Sequence, residues 1–381
     1  MSTFSCPVVT IKEVKAHPNA DLLDIITFNE IAWVCIDTKE KNLQPGQLVV
    51  YVPMDANVDT RRPEFEFLKP RAKSNGLCRI RQIKLRGEYS SGFILECPPT
   101  IIVETHSENP DYTLTNVNTA VGMDASYNFG IIKYEPPAEK VFSANAKGDF
   151  PAWCPKSDAE RYQNWNRNIN PHLNQEWFAS LKMDGTSLTV FYDTDRVGDE
   201  LGVCSRNQEL KPPEENPGDA QQDTAWGFKI DLYWATARKF NLIEKIQKLQ
   251  ENIGAIKIAL QGEICGPGIQ ENRMGLSDTH FFAFDLFVIG ANKFIGYLNW
   301  GSFLAWMNKE EITTVPILWK DNLETKLGNP PNFAFIYDLV YPNEFPAEGV
   351  VFVPEVEQQS GNLGRLKFKY INPEFLLKTK K

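Results

Sequence analysis

The stretch that decides the reading of this chain is 180-SLKMDGTSLTVFY-192, where a lysine, a spacer, an aspartate and a glycine stand between two apolar, β-prone runs. Lys182 and Asp184 are two apart, so on a strand they project to the same face. Gly185 interrupts the strand pattern, as happens at a turn or where another backbone approaches closely. Charged side chains are rarely buried unless paired. Taken alone, the stretch also reads as a surface hairpin with a Lys–Asp pair at an "MDGT" turn.

Further segments repeat the anomaly of charge inside apolar runs. "CSRNQEL" holds Arg206, "LQGEICGPGIQ" holds Glu263, "FFAFDLF" holds Asp285, "AEGVVFV" holds Glu348, and "RLKFKY" holds Lys367 and Lys369, again two apart. Each alone reads as a strand-end salt bridge. Together they supply a lysine nucleophile, carboxylates suited to a hard divalent metal and its waters, and cations suited to phosphates. That inventory fits attack by a lysine amine on a nucleoside triphosphate.

By length alone the 381 residues favour two domains, with three the upper bound. With 42% hydrophobic and 23% charged residues the composition is that of an ordinary globular protein. No apolar run approaches membrane-spanning length, and the N-terminus lacks the basic start and apolar core of a secretory signal. Seven scattered cysteines with no Cys-x-x-Cys, and four scattered histidines, argue against a zinc site and a disulfide framework. The compartment expected is a reducing, intracellular one, the cytoplasm or another.

The net charge of −9 speaks against a nucleic-acid partner, but its distribution does not. Residues 61–90, "RRPEFEFLKPRAKSNGLCRIRQIKLRGEYS", carry nine Lys/Arg against three Asp/Glu and so stand at +6, leaving −15 for the rest. Such a stretch is either a phosphate-backbone footprint or a solvated loop; Phe65, Phe67, Leu77, Ile80 and Ile83 within it could equally be core.

Residues 5–55 read as short β-strands with a Pro45-Gly46 turn. "LCRIRQIKLRG" and "SGFILEC" add two more, which together suggest a small OB-type barrel. "HPNADLLDI" resembles the opening of tRNA-binding OB modules. The Pro-, Asn- and Thr-rich residues 98–150 read as a linker or irregular edge. Ser157 and Glu160 have capping-box spacing, which predicts a helix from Ser157, and residues 231–253 have helical spacing. Strands recur in "TSLTVFYD", "IKIALQGEI", "HFFAFDLFVI", "GVVFVPE" and "LGRLKFKYI". The class expected is α+β: an OB-type barrel over 1–125, a linker over 126–149, and a second domain over 150–381 of antiparallel sheets with flanking helices.

The order Lys-x-Asp-Gly, Ser-Arg-Asn, Gly-Glu, Phe-Asp, Glu-Gly, Lys-x-Lys resembles the covalent nucleotidyltransferase superfamily of DNA ligases, RNA ligases and mRNA capping enzymes. "SRN", "QGEICGPGIQ" and "FFAFDLF" are most similar to the RNA ligase branch. DNA ligases and capping enzymes continue into an OB domain after Lys-x-Lys. Here the OB-like segment stands in front, as in a group of RNA ligases that seal nicks with an RNA 3′-hydroxyl end.

The resemblance implies a set of roles. Lys182 attacks the α-phosphorus of ATP and becomes lysyl–AMP, its pKa lowered from about 10.4 by burial, by Lys367 and Lys369, and by a metal. Asp184, Glu263 and Glu348 hold Mg2+ or Mn2+, largely through water. Lys367 and Lys369 neutralise the α-phosphate, Arg206 meets the ribose or the acceptor phosphate, and Phe284 and Val351 sandwich the adenine. Arg161, placed on the helix predicted from Ser157, meets the ATP phosphates. The partner implied is RNA, a nicked duplex with an RNA 3′-hydroxyl end, bound by a monomer with no membrane attachment. A GTP-using capping guanylyltransferase, and a non-catalytic RNA-binding protein on the same scaffold, are the competing readings.

Overall fold

The computed structural model describes residues 4–106, 112–134, 146–213, 232–291 and 294–379. The chain divides into two compact units, Met1–Ala138 with Gln163–Arg167 and Leu376–Lys381, and Glu139–Tyr162 with Asn168–Phe375.

The first unit is built from short strands: β1 (Val8–Ala16), β2 (Leu23–Phe28), β3 (Val34–Thr38), β4 (Leu48–Val52), β5 (Ala56–Asp59), β6 (Leu77–Arg79), β7 (Gln82–Leu85), β8 (Glu88–Ser91), β9 (Phe93–Glu96), β10 (Thr100–His106), β11 (Tyr112–Asn118) and, after the one-turn helix α1 (Ser126–Phe129), β12 (Ile132–Lys133). The sheet order is β3-β2-β1-β4-β9, with β12-β5-β6, β7-β8 and β10-β11 beside it. Strand alternation gives β1 and β4 two buried faces. Val8, Val50 and Val52 join one apolar cluster, while Val9, Val49 and Tyr51 join another.

The "HPNADLLDI" stretch has a structural task here. The His17 ring is hydrogen-bonded to the Leu85 carbonyl at 3.0 Å and to the Asn19 N–H at 3.0 Å, and the Asn19 amide donates to the Arg86 carbonyl, tying the β1–β2 turn to the end of β7.

Two expectations are corrected in this unit. "LCRIRQIKLRG" is not one strand: it breaks at Ile80 and Arg81 between β6 and β7, because Ile80 N–H and C=O turn to Ala56 and Asp55. Part of the stretch read as a linker or irregular edge is also ordered. β10 and β11 form a seven-pair hairpin, and β12 pairs with β5. Residues 135–145 of the expected linker lie outside the described residues.

The second unit contains β13 (Ala146–Asp149), β14 (Glu160–Arg161), α2 (Tyr162–Ile169), β15 (Glu176–Leu181), β16 (Thr186–Asp193), β17 (Leu201–Cys204), β18 (Gln208–Leu210), α3 (Leu232–Lys239), α4 (Leu242–Ile253), β19 (Ala255–Cys265), β20 (His280–Gly290), β21 (Ile295–Tyr297), α5 (Trp300–Lys309), β22 (Ile317–Asn322), β23 (Gly349–Pro354), the short pair β24 (Gln359–Ser360) and β25 (Gly364–Arg365), and β26 (Phe368–Ile371); of α2, residues 163–167 fall in the first unit. Two sheets organise it, seven strands in the order β13-β18-β17-β16-β19-β20-β21 and five in the order β14-β26-β23-β15-β22. All named pairings are antiparallel except β14 with β26. Both sheets and α3–α5 contribute to one apolar core, which includes Phe178, Val190, Leu260, Leu286, Ile246, Trp300 and Val353.

The helical pattern over 231–253 is realised as two helices, because Asn241 takes a left-handed conformation (φ 52°) between α3 and α4. The helix predicted from Ser157 is absent. Ser157–Ala159 are irregular, Glu160 and Arg161 form β14, and helix begins at Tyr162. The Ser157 hydroxyl is committed elsewhere, to Asp285 and Lys367, so it caps nothing.

Candidate functional site

Lys182 stands one residue past β15, where its N–H donates to the Gly349 carbonyl at 2.9 Å. Its Nζ lies 2.7 Å from Glu348 Oε2. Both glycines of these motifs are dictated by close approach. A Cβ on Gly185 would sit 2.2 Å from the Ile264 carbonyl of β19, and one on Gly349, at φ +150°, 2.2 Å from the Tyr370 carbonyl of β26.

Sheet register assembles the rest. Ser180 opposes Val351, Val351 opposes Lys369, and Arg161 is beside Lys369, so four strands present one row on one face. On the other sheet Ser187 opposes Glu263, and Glu263 opposes Phe282. Between Ala283 and Asp285 the β19–β20 ladder slips by one residue, leaving Phe284 as the bulged position. A bulge re-aims side chains. Here Phe284 lines the cavity while Asp285 is only 1% exposed.

A cavity of about 330 Å3 opens among these elements, lined by Lys182, Arg206, Glu263, Phe284, Val351, Lys367 and Lys369 together with Ser157 and Gln261. Seven expected site residues therefore meet there. Arg206 is exposed and paired with Asp158 at 2.9 Å. Three expected residues are not in the wall. Arg161 is on a strand, not a helix, beside Lys369; Glu348 stands behind the Lys182 amine; Asp184 is 8% exposed and paired with the buried Arg273 at 2.7 Å.

Sequence reasoning left the Asp285 cluster unread. Asp285 accepts from Arg365 at 2.7 Å, from Lys367 at 2.6 Å and from the Ser157 hydroxyl, while Arg365 also holds Glu357 at 2.9 Å and lies 3.7 Å from the Tyr297 ring centre. Burial alone would lift the Asp285 carboxyl, but Arg365 and Lys367 outweigh it and hold it well below the usual range. Burial is also the main cause that lowers Lys367, helped by Arg365 and opposed by Asp285. The lone signal in the sequence was an aspartate inside "FFAFDLF".

The charges around Lys182 contradict the expected lowering of its pKa. Burial does act that way, but Glu348, then Glu263 and Asp184, outweigh it, and the amine is raised. The depressed lysine is Lys369, brought down to about 8 by burial and by the charges of Lys182 and Arg161. Glu263 is pushed up to about 8 by burial and by Glu348 and Asp184, against Lys182 and Arg206.

Among the described residues no three His, Cys, Asp or Glu side chains converge to hold a metal ion directly. The donors at hand are carboxylate oxygens, and burial first, with Glu348 and Asp184 adding to it, holds Glu263 high, a cost that a hydrated hard dication would relieve. The site so fits a cation held by Glu263 and Glu348 mostly through water, with Asp184 engaged by Arg273.

Residues 175–371, just over half of the chain, match the RNA ligase family model. The chain belongs to the RNA ligase family. Residues 6–97 match an OB-fold domain, so this RNA ligase carries its OB fold at the N-terminal side. It is similar along its whole length to structures of the Naegleria gruberi RNA ligase. The ligase with PPi is 26% identical with a TM-score of 0.73 and 99% of each chain covered. A variant with ATP and Mn is 25% identical with a TM-score of 0.72, and one with AMP and Mn 26% identical with a TM-score of 0.72, each with 98% of both chains covered.

Proposed function

We propose that this RNA ligase joins an RNA 3′-hydroxyl to a 5′-phosphate, at nicks in a duplex, by way of lysyl–AMP and RNA-adenylate. The observation that carries the reading is the placement of the Lys182 amine at a cavity whose wall also offers Phe284, Val351, Lys367 and Lys369. The ATP, AMP and PPi found with the related ligase support ATP as the nucleotide over GTP.

The adenine lies between Phe284 and Val351, with its phosphates toward the lysines. Lys182 is an ammonium against Glu348 in the free protein and must lose a proton before it can attack; Glu348 Oε2 is the acceptor at hand. The P–N bond then forms, the α–β phosphoanhydride P–O bond breaks with its electron pair leaving on pyrophosphate, and the nitrogen sheds a second proton. Lys369 and Lys367 face the charge that grows on the α-phosphate. A bound Mg2+ or Mn2+, held by Glu263 and Glu348, supplies charge neutralisation there and an easier deprotonation of the amine. In the second step an oxygen of the RNA 5′-phosphate attacks, the P–N bond breaks and Lys182 recovers its protons. In the third the 3′-hydroxyl oxygen attacks the activated 5′-phosphorus, loses its proton and expels AMP.

The test is incubation with α-labelled ATP or GTP and a divalent metal, followed by mapping of the labelled residue. Label from ATP on Lys182, released as AMP when nicked RNA is sealed, is the expected result. Label from GTP alone would favour a capping activity, and no label a binding protein.

A further inference from the structure

Lys182 and Glu348 lie just beyond the ends of β15 and β23, where regular pairing stops after Leu181–Val350. One side chain outside every recognised motif bridges them. The Tyr341 hydroxyl donates to the Lys182 carbonyl at 2.9 Å and accepts from the Glu348 N–H at 3.1 Å. A single phenol serves both because it is donor and acceptor at once. Its ring is 1% exposed within the main core.

The loop that carries Tyr341 is itself pinned. Tyr341 N–H donates to the Phe345 carbonyl at 2.8 Å, Glu344 N–H to the Tyr341 carbonyl at 2.9 Å, and Ala347 N–H to the Leu339 carbonyl at 2.8 Å, while Val340 bridges Pro346. A rigid loop thus sets a phenol between the nucleophile's backbone and that of its partner carboxylate.

We propose that Tyr341 is a positioning residue that fixes the Lys182 amine against Glu348 for nucleotidyl transfer, a role that rests on the function proposed above. A satisfied core tyrosine would need only one partner in either strand end. This one spans two motifs 166 positions apart in the chain, at the point where the ladder ends with the bond from Lys182 N–H to the Gly349 carbonyl.

The test is Tyr341→Phe in the full chain, which keeps the ring and removes both hydrogen bonds. The rate of lysyl–AMP formation at saturating ATP should fall about tenfold or more, the equivalent of one to two hydrogen bonds, with KM for ATP little changed. Joining of an RNA adenylylated beforehand, which does not use the amine, should suffer far less. A second readout needs no nucleotide: competitive acylation with trace acetic anhydride, reporting Lys182 against the exposed Lys12, well below the melting midpoint. Relative acylation of Lys182 should change severalfold in the variant. Unaltered Lys182 reactivity, or equal losses in lysyl–AMP formation and in joining of adenylylated RNA, would overturn the positioning role. The acylation result stands even if the chain forms no lysyl–AMP, so the two readings fail separately.

Discussion

At the scale of single residues the site is a balance of charges, and its first consequence concerns Lys182. Lys182→Ala should abolish enzyme–AMP formation from labelled ATP while still joining RNA adenylylated beforehand; normal labelling of the variant would dismiss the assignment. The second concerns pH. Lys182 is raised by Glu348 and must deprotonate, so kcat/KM for adenylylation should climb with pH. Lys369 titrates near 8 in the free protein and must stay charged, so the profile should turn down above about 8. Lys369→Arg should lose that descending limb, because guanidinium stays protonated. The sign for stability is opposite to an ordinary salt-bridged lysine. Between about 8 and the 10.5 of an ordinary lysine the folded state binds fewer protons than the unfolded one, so this group's penalty is full below 8 and fades as pH rises. Lys369→Met should accordingly raise the melting midpoint at pH 7 more than at pH 10. The sequence made the identity of these lysines legible, but not which would be depressed, because Lys182 is raised by Glu348 and Glu263, 166 and 81 residues away, while Lys369 is lowered by burial and by Lys182 and Arg161.

At the scale of elements, alternating strands were readable wherever one segment carried its own pattern. β16, β19, β20 and β23 fall where their apolar runs stand. What stayed hidden depends on two segments at once. The slip that aims Phe284 at the cavity and Asp285 at Arg365 and Lys367 is a property of the β19–β20 pair. The failed capping box has the same origin, since Ser157 spends its hydroxyl on Asp285, 128 positions away. Gly185 is the converse case, a local signal whose cause is tertiary. Gly185→Ala would press a methyl toward the Ile264 carbonyl and the Glu263 and Cys265 side chains. The expected outcome is a stability loss of about 1–3 kcal/mol by urea unfolding, with adenylylation reduced at least tenfold because Glu263 is displaced. A variant as active and as stable as the parent would show that β19 yields there without consequence.

At the scale of the whole molecule, the +6 segment sits in an acidic chain, and the structure sorts its cations. Arg79 is paired with Asp55 and lies 4.2 Å from the Tyr134 ring centre; Arg61 is paired with Asp59 at 2.6 Å and Lys69 with Glu66 at 2.6 Å. Phe65 is core, whereas Phe67 is exposed. Arg81, Lys84 and Arg86 are exposed, and they do not share one strand: Arg81 precedes β7, Lys84 is on it, and Arg86 (φ 48°) is in its turn. Removing the first unit outright is a poor test of RNA grip, because Ala32 and Trp33 hold Gln163 and Asn164 of α2. Replacing Arg81, Lys84 and Arg86 with Ala leaves the cavity residues untouched. Adenylylation should stay within about twofold of the parent, since none of the three lines the cavity. If these three cations each hold a phosphate, nick sealing should weaken, and the slope of log affinity for nicked duplex against log salt should become shallower by about 3. Arg79→Ala, measured in parallel, should instead lower the melting midpoint, as its pairing is internal to the unit. An unchanged salt slope in the triple variant would make the basic stretch a solvated surface, and a loss of adenylylation in a folded triple variant would mean that the first unit acts on the nucleotide site.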